Sequence, residues 1–135
     1  MNDANKDINV SAEWLKSQKA FQEAQVLLAQ KLEEGAISRS YYAVFHAVKA
    51  LLFSKGLDTS THQGSMRLFN LHFIQAGLFE QRFSRVLSRA KQEREEADYF
   101  AEYTFSFEDA EENIKNAKVF LLESEKYLKS LGYLG

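Results

Sequence analysis

The sequence predicts an all-α fold, an antiparallel up-down helical bundle of about five helices, one of them short. Three observations lead there. The 135 residues contain no proline and only six glycines, so few positions break a helix. Apolar residues recur every three or four positions over most of the chain, the period of a helix with a buried face. The composition, 45% hydrophobic and 27% charged, is that of one compact domain able to bury a core.

Residues 1–10 are polar and are expected to be a flexible N-terminus, with the bundle domain occupying 11–135. Ser11 is the expected N-cap of a first helix running to about Glu34. Its inward stripe is Trp14, Phe21, Ala24, Leu28 and Leu32, with Lys and Glu opposite, and Gly35 is the expected C′ residue. A second helix spans about Ala36 to Ser54 and stops at Gly56; GLDTSTHQGS then forms a polar loop. A third, from about Ser65 to Gln75, carries Met66, Leu68, Phe69, Leu71 and Phe73. Gly77 separates it from a fourth, about Phe79 to Tyr99, in which Phe83, Val86 and Leu87 give way to KQEREEADYF. AEYTFS is a short connection. The last helix is announced by a capping box, with Ser106 as N-cap and Asp109 in the usual Glu place. Glu108, Asp109, Glu111 and Glu112 crowd its positive end, while Lys126 and Lys129 occupy the other. Ala110, Ile114, Ala117, Leu121, Ser124, Leu128 and Leu131 supply its inward face.

The second helix is the most informative. At ~100° per residue, Ile37, Tyr41, Val44, Val48 and Leu52 fall on one side. Arg39, Tyr42, His46 and Phe53 fall on the other, flanked by Ala43 and Ala50. A helix apolar on both sides is central, so Arg39 and His46 must be paired, sit at a protein–protein interface or line a cleft. Seven residues apart, they share a face with a rise of ~10.5 Å between Cα atoms. That pair suits metal-free RNA cleavage. His46 would be the general base or acid at the ribose 2′-OH or the leaving oxygen, and Arg39 would stabilise the charge of the phosphorane. A structural alternative pairs Arg39 with a core acid such as Asp98 or Glu95 and bonds His46 to a backbone carbonyl.

Other candidates are weaker. Arg67 and His72 diverge by ~140° on the third helix. His62 lies in the polar loop, either a binding residue or simply solvated. Arg94 and Asp98 stand at i and i+4, either as an intrahelical pair or with Asp98 orienting Arg39 or His46 from across the bundle. The KQEREE run reads as a solvated face.

Several chemistries are excluded. No cysteine means no disulfide, thiolate site or cysteine nucleophile, and suits a reducing, cytoplasmic setting. There is no phosphate-binding glycine loop and no nucleophile elbow, and the three histidines lack metal-like pairing. No cofactor is demanded. The N-terminus has no signal-peptide pattern, and no apolar run approaches the roughly 20 residues that span a bilayer. A net charge of −2 and pI of about 5.9 make any RNA contact local or dependent on oligomerisation.

SRSYYAVFHAVKALL, the loop THQGS, the segment REEADY and YTFSFEDAEENIKNAKVFL together resemble the HEPN superfamily (higher eukaryote and prokaryote nucleotide-binding domains), closest to its small stand-alone prokaryotic branch. The resemblance implies a helical bundle that forms a homodimer through helix faces. It also implies a minimal nucleotidyltransferase partner in a toxin–antitoxin arrangement. Many members are metal-independent endoribonucleases with an Arg-x4–6-His motif at the dimer interface; Arg39 to His46 matches with six intervening residues, Arg67 to His72 with four. In that setting Arg39 and His46 would be catalytic, Tyr42 would stack on or bond to substrate, and His62, Arg94 and Asp98 would bind or orient. The departures are Ser40 where relatives often carry Asn, an early rather than late position of the motif, and Val48 and Ile74 where some relatives have a modifiable tyrosine. The resemblance also admits a non-catalytic module that binds a nucleotide or docks the partner, with Arg39 as anion anchor.

Overall fold

A computed structural model of the protein describes residues 2–99 and 105–135, and these form an all-α bundle with no strand among the described residues. The helices are α1 (Asp3–Ala29), α2 (Glu33–Ser54), α3 (His62–Phe69), α4 (Arg82–Tyr99) and α5 (Phe107–Ser130). Most of the connection AEYTFS lies outside the described residues.

Helix α1 begins at Asp3, more than two turns before the expected cap at Ser11. The Asn2 Oδ1 accepts from the Asn5 N–H at 2.8 Å, and this earlier cap starts a helix whose Val10 is fully buried. The segment expected to be flexible is thus helical from Asp3. At the other end, Gly35 is not the C′ residue. Lys31 takes the left-handed conformation with φ 60°, while the Lys31 and Leu32 N–H groups close back onto the Leu28 and Leu27 carbonyls at 2.9 Å. A left-handed lysine costs about 1 kcal/mol or more, and the bonds it completes offset that. Gly35 falls in the first turn of α2.

Helix α3 starts at His62, three residues before the expected boundary. Thr61 caps it, its hydroxyl accepting from the Gly64 N–H at 2.9 Å. Beyond Phe69 the chain widens into a π turn, Asn70–Ile74, closed by the Gln75 N–H onto the Asn70 carbonyl at 2.8 Å. Gly77, at φ 78°, ends this unit as expected, and α4 opens at Arg82. The Ser106–Asp109 capping box of α5 is formed in both directions.

The core has two textures. Phe69, Phe73, Phe79, Phe83 and Phe120 pack ring against ring with centroids 5.3–5.9 Å apart, mostly edge to face. Between α1 and α2 the contact is made by small residues instead. Ser17, Ala20 and Ala24 on α1 and Ala36, Ala43, Ala47 and Ala50 on α2 are buried, and the Ser17 hydroxyl reaches the Ala43 carbonyl at 2.7 Å. That close approach sets α2 in the centre and brings side chains at the edge of α1 within reach of its polar residues.

Candidate functional site

Every residue of α2 is buried or half-buried. Ile37, Tyr41, Val44, Val48 and Leu52, the predicted inner side, are all at most 1% exposed. One stripe remains half-open: Ser38, Arg39, Tyr42, Phe45, His46 and Lys49, which share one side of the helix. Arg39 and His46, the catalytic candidates of the sequence, both lie on it, two turns apart.

His46 does not bond a backbone carbonyl. Its Nδ1 meets Glu13 Oε2 of α1 at 2.6 Å, with the side chains 22% and 14% exposed. A carboxylate can only accept, so Nδ1 carries the proton of this bond and Nε2 is the atom left for chemistry. Among the described residues no hydrogen bond engages Nε2. Burial pushes the Glu13 carboxyl up, but the bond to and charge of His46, with Lys16 and Lys49, outweigh it and hold the group below the ordinary carboxylate range.

Arg39 pairs with neither Asp98 nor Glu95. Its guanidinium lies 3.3 Å from Glu23 of α1 and 5.1 Å from the centre of the Tyr42 ring. Both partners of the ion pair are well exposed, so it holds Arg39 loosely and leaves it free to exchange an acid for a phosphate.

Arg94 and Asp98 form the intrahelical pair, Nε to Oδ2 at 3.0 Å, and Ser38 adds a weak 3.4 Å bond to the same carboxylate. Asp98 therefore orients Arg94, not Arg39 or His46. Arg94 crosses to α2, donating to the Tyr42 hydroxyl at 2.8 Å and lying 5.3–5.5 Å from the rings of Tyr41, Tyr42 and Tyr99. Tyr42 is thus gripped between two guanidinium groups.

His62 is neither in a loop nor simply solvated. As the first residue of α3 it stacks on Phe45 (centroids 3.8 Å apart, planes at 22°), and its Nδ1 lies 2.9 Å from the Tyr41 hydroxyl. Burial, then the positive charges of Arg94, His46, Lys91 and Lys49, push its imidazole below the ordinary value. Arg67 and His72, by contrast, are not brought together; Arg67 is exposed and no bond joins them.

Sequence reasoning missed Glu13, Glu23, Phe45 and Lys49. Lys49 is 12% exposed and tied to Asp58 at 2.6 Å and to the Thr59 carbonyl at 3.0 Å. The acids were hidden because α1 alternates Lys and Glu on its outer side. The usable signal was the run Ser17–Ala20–Ala24: small residues mark a close helix contact, so an acid beside it faces the partner helix.

A groove of about 800 Å³ lies elsewhere, between α4 and α5, lined by Arg85, Arg89, Glu93 and Asn113 among others. It contains no histidine and none of the predicted site residues. The stripe on α2 is therefore identified by its chemistry: an imidazole oriented by a carboxylate, guanidinium groups and an aromatic platform, a set suited to a phosphodiester and its base.

Comparison with known proteins adds what this chain is similar to. The family model described as HEPN domain matches residues 11–128. A Methanocaldococcus jannaschii protein named "Putative toxin" is 35% identical over 108 residues, covering 80% of each chain. A second protein of that organism with the same designation is 30% identical over 88% of this chain and 81% of its own. A Thermotoga maritima protein of the UPF0332 group is 31% identical over 86% of this chain and 88% of its own. Separately, no described helix is long and apolar enough to cross a membrane.

Proposed function

This chain belongs to the HEPN domain family, and from that premise we propose that it is a toxin-like protein that cleaves RNA without a metal at the α2 stripe. It would act as one half of a toxin–antitoxin pair with a minimal nucleotidyltransferase. The observation that carries the chemistry is the 2.6 Å Glu13–His46 contact on the same stripe as Arg39. A carboxylate fixing Nδ1 aims Nε2 at a single task, proton transfer at the ribose 2′-OH or the leaving 5′ oxygen. Arg39 leaves Glu23 to bind the scissile phosphate and stabilises the charge that builds on it, while Tyr42 stacks on a base. A homodimer that apposes two stripes doubles the guanidinium groups and supplies the local positive charge that a chain of net charge −2 lacks.

The test uses wild type and His46→Ala with a structured RNA in EDTA. Cleavage by wild type alone, leaving 2′,3′-cyclic phosphate ends, supports the reading; equal cleavage by both proteins, or none by a folded wild type, defeats it. One observation favours a second reading. Arg39 and Arg94 already have acid partners, as suits a non-catalytic module that docks a nucleotide or the partner protein. In that case Arg39→Ala weakens nucleotide or partner binding at least tenfold and His46→Ala leaves it unchanged.

A further inference from the structure

The geometry points to His62 as a second acid–base residue of this site, the general base that complements His46 as general acid. The inference rests on the ribonuclease reading above and assigns its two proton transfers to separate side chains.

Three contacts support it. Phe45 touches both imidazoles, stacking on His62 at 3.8 Å and meeting His46 edge-on at 5.4 Å, so α3 delivers a second histidine to the same stripe. Each ring is anchored through Nδ1, His46 by Glu13 at 2.6 Å and His62 by the Tyr41 hydroxyl at 2.9 Å. Both therefore present Nε2. The anchors differ in charge, and that difference divides the labour. Beside His46 stands the Glu13 carboxylate, which accepts from Nδ1. Around His62 stand the neutral Tyr41 and Tyr42, His46 and Lys49 from α2, and Lys91 and Arg94 from α4, which favour the uncharged ring. Burial raises the Tyr41 phenol to about 12, so it remains an uncharged partner throughout the working range. Two imidazoles on one stripe, one held by a carboxylate and the other by a phenol, suit the separate roles of an acid–base pair.

The step balances without a co-reactant. His62 Nε2 takes the 2′-OH proton, its Nδ1–H donating to the Tyr41 oxygen. The 2′ oxygen then bonds to phosphorus, the bond from phosphorus to the 5′ oxygen breaks, and His46 Nε2–H protonates that oxygen. The products are a 2′,3′-cyclic phosphate and a 5′-hydroxyl, and solvent exchange restores both rings.

The experiment is the pH–rate profile of single-turnover RNA cleavage in EDTA for wild type, His62→Gln and Tyr41→Phe, with thermal unfolding of each. Wild type is expected to give a bell whose acid limb belongs to His62. His62→Gln should fall about 10²–10⁴-fold at neutral pH and lose that limb. Tyr41→Phe keeps the ring but frees its tautomer, and should lose about tenfold with the bell retained. A folded His62→Gln with the wild-type bell and a rate within threefold of wild type overturns the assignment. A folded wild type that cleaves nothing overturns the ribonuclease reading and this one with it; an active wild type with an indifferent His62→Gln overturns this one alone.

Discussion

The two sides of α2 are built from one continuous helix yet solve opposite problems. On the inner side, Ile37, Tyr41, Val44, Val48 and Leu52 exclude water almost completely. On the open stripe, Arg39, Tyr42 and His46 keep partial access to water, and each is met by a residue from another helix: Glu23, Arg94 and Glu13. The inner side holds the molecule together through area removed from water. The stripe contributes little net stability, because every bond there replaces one to solvent. What it gains is orientation. A helix held rigid on one side can hold polar groups in place on the other.

Substitutions can separate these roles. Leu52→Ala, on the inner side, should cost the most, about 2–5 kcal/mol in urea denaturation. Arg94→Leu should cost less, about 1.5–3 kcal/mol, by stripping the Tyr42 hydroxyl of its donor and Asp98 of its counter-ion. A loss above about 3 kcal/mol for Arg94→Leu would mean that these contacts are core, and the distinction fails. Glu13→Gln keeps an acceptor for His46 but no charge, and about 1 kcal/mol is expected at pH 7. Here pH sharpens the reading. The Glu13 carboxyl is held below its unfolded value of 4.5, so its contribution is fully present above that pH and is lost as pH falls through the lower folded value. The stability gap between wild type and Glu13→Gln should therefore be present above that pH and close as pH falls through the lower folded value. Glu23→Ala should be smallest, about 0.2–1 kcal/mol and screened by salt, since both members of its pair with Arg39 are exposed.

Much of this was legible in the sequence, and what was not has identifiable causes. The period of apolar residues fixes which side of α2 is buried, because burial acts at every turn and leaves a repeated signal. The capping box of α5 was legible because Ser106 and Asp109 satisfy each other locally. The partners of Arg39 and His46 were not, since the pairing depends on how two helices sit side by side, and only the small residues between α1 and α2 reveal that. The helix ends failed where one competent residue lost to another earlier in the chain. Asn2 caps before Ser11, and Lys31 turns the chain before Gly35, because contacts beyond the local stretch decide among competent caps. The π turn at 70–74 left no trace, for it adds one residue without changing which side chains are apolar.

One small feature carries further than its size. A methyl group at Gly64 would stand 2.8 Å from the Thr61 hydroxyl oxygen, within the bond that starts α3. His62 occupies the first position of that helix, so its ring lies where this three-residue closure puts it. In a mutational scan of the loop, the position next to the histidine, Gln63, should accept almost any residue, while Gly64, which touches no reactive group, should be as intolerant as His62 itself. Sensitivity there would mark the hinge pin of the imidazole and not a contact with RNA.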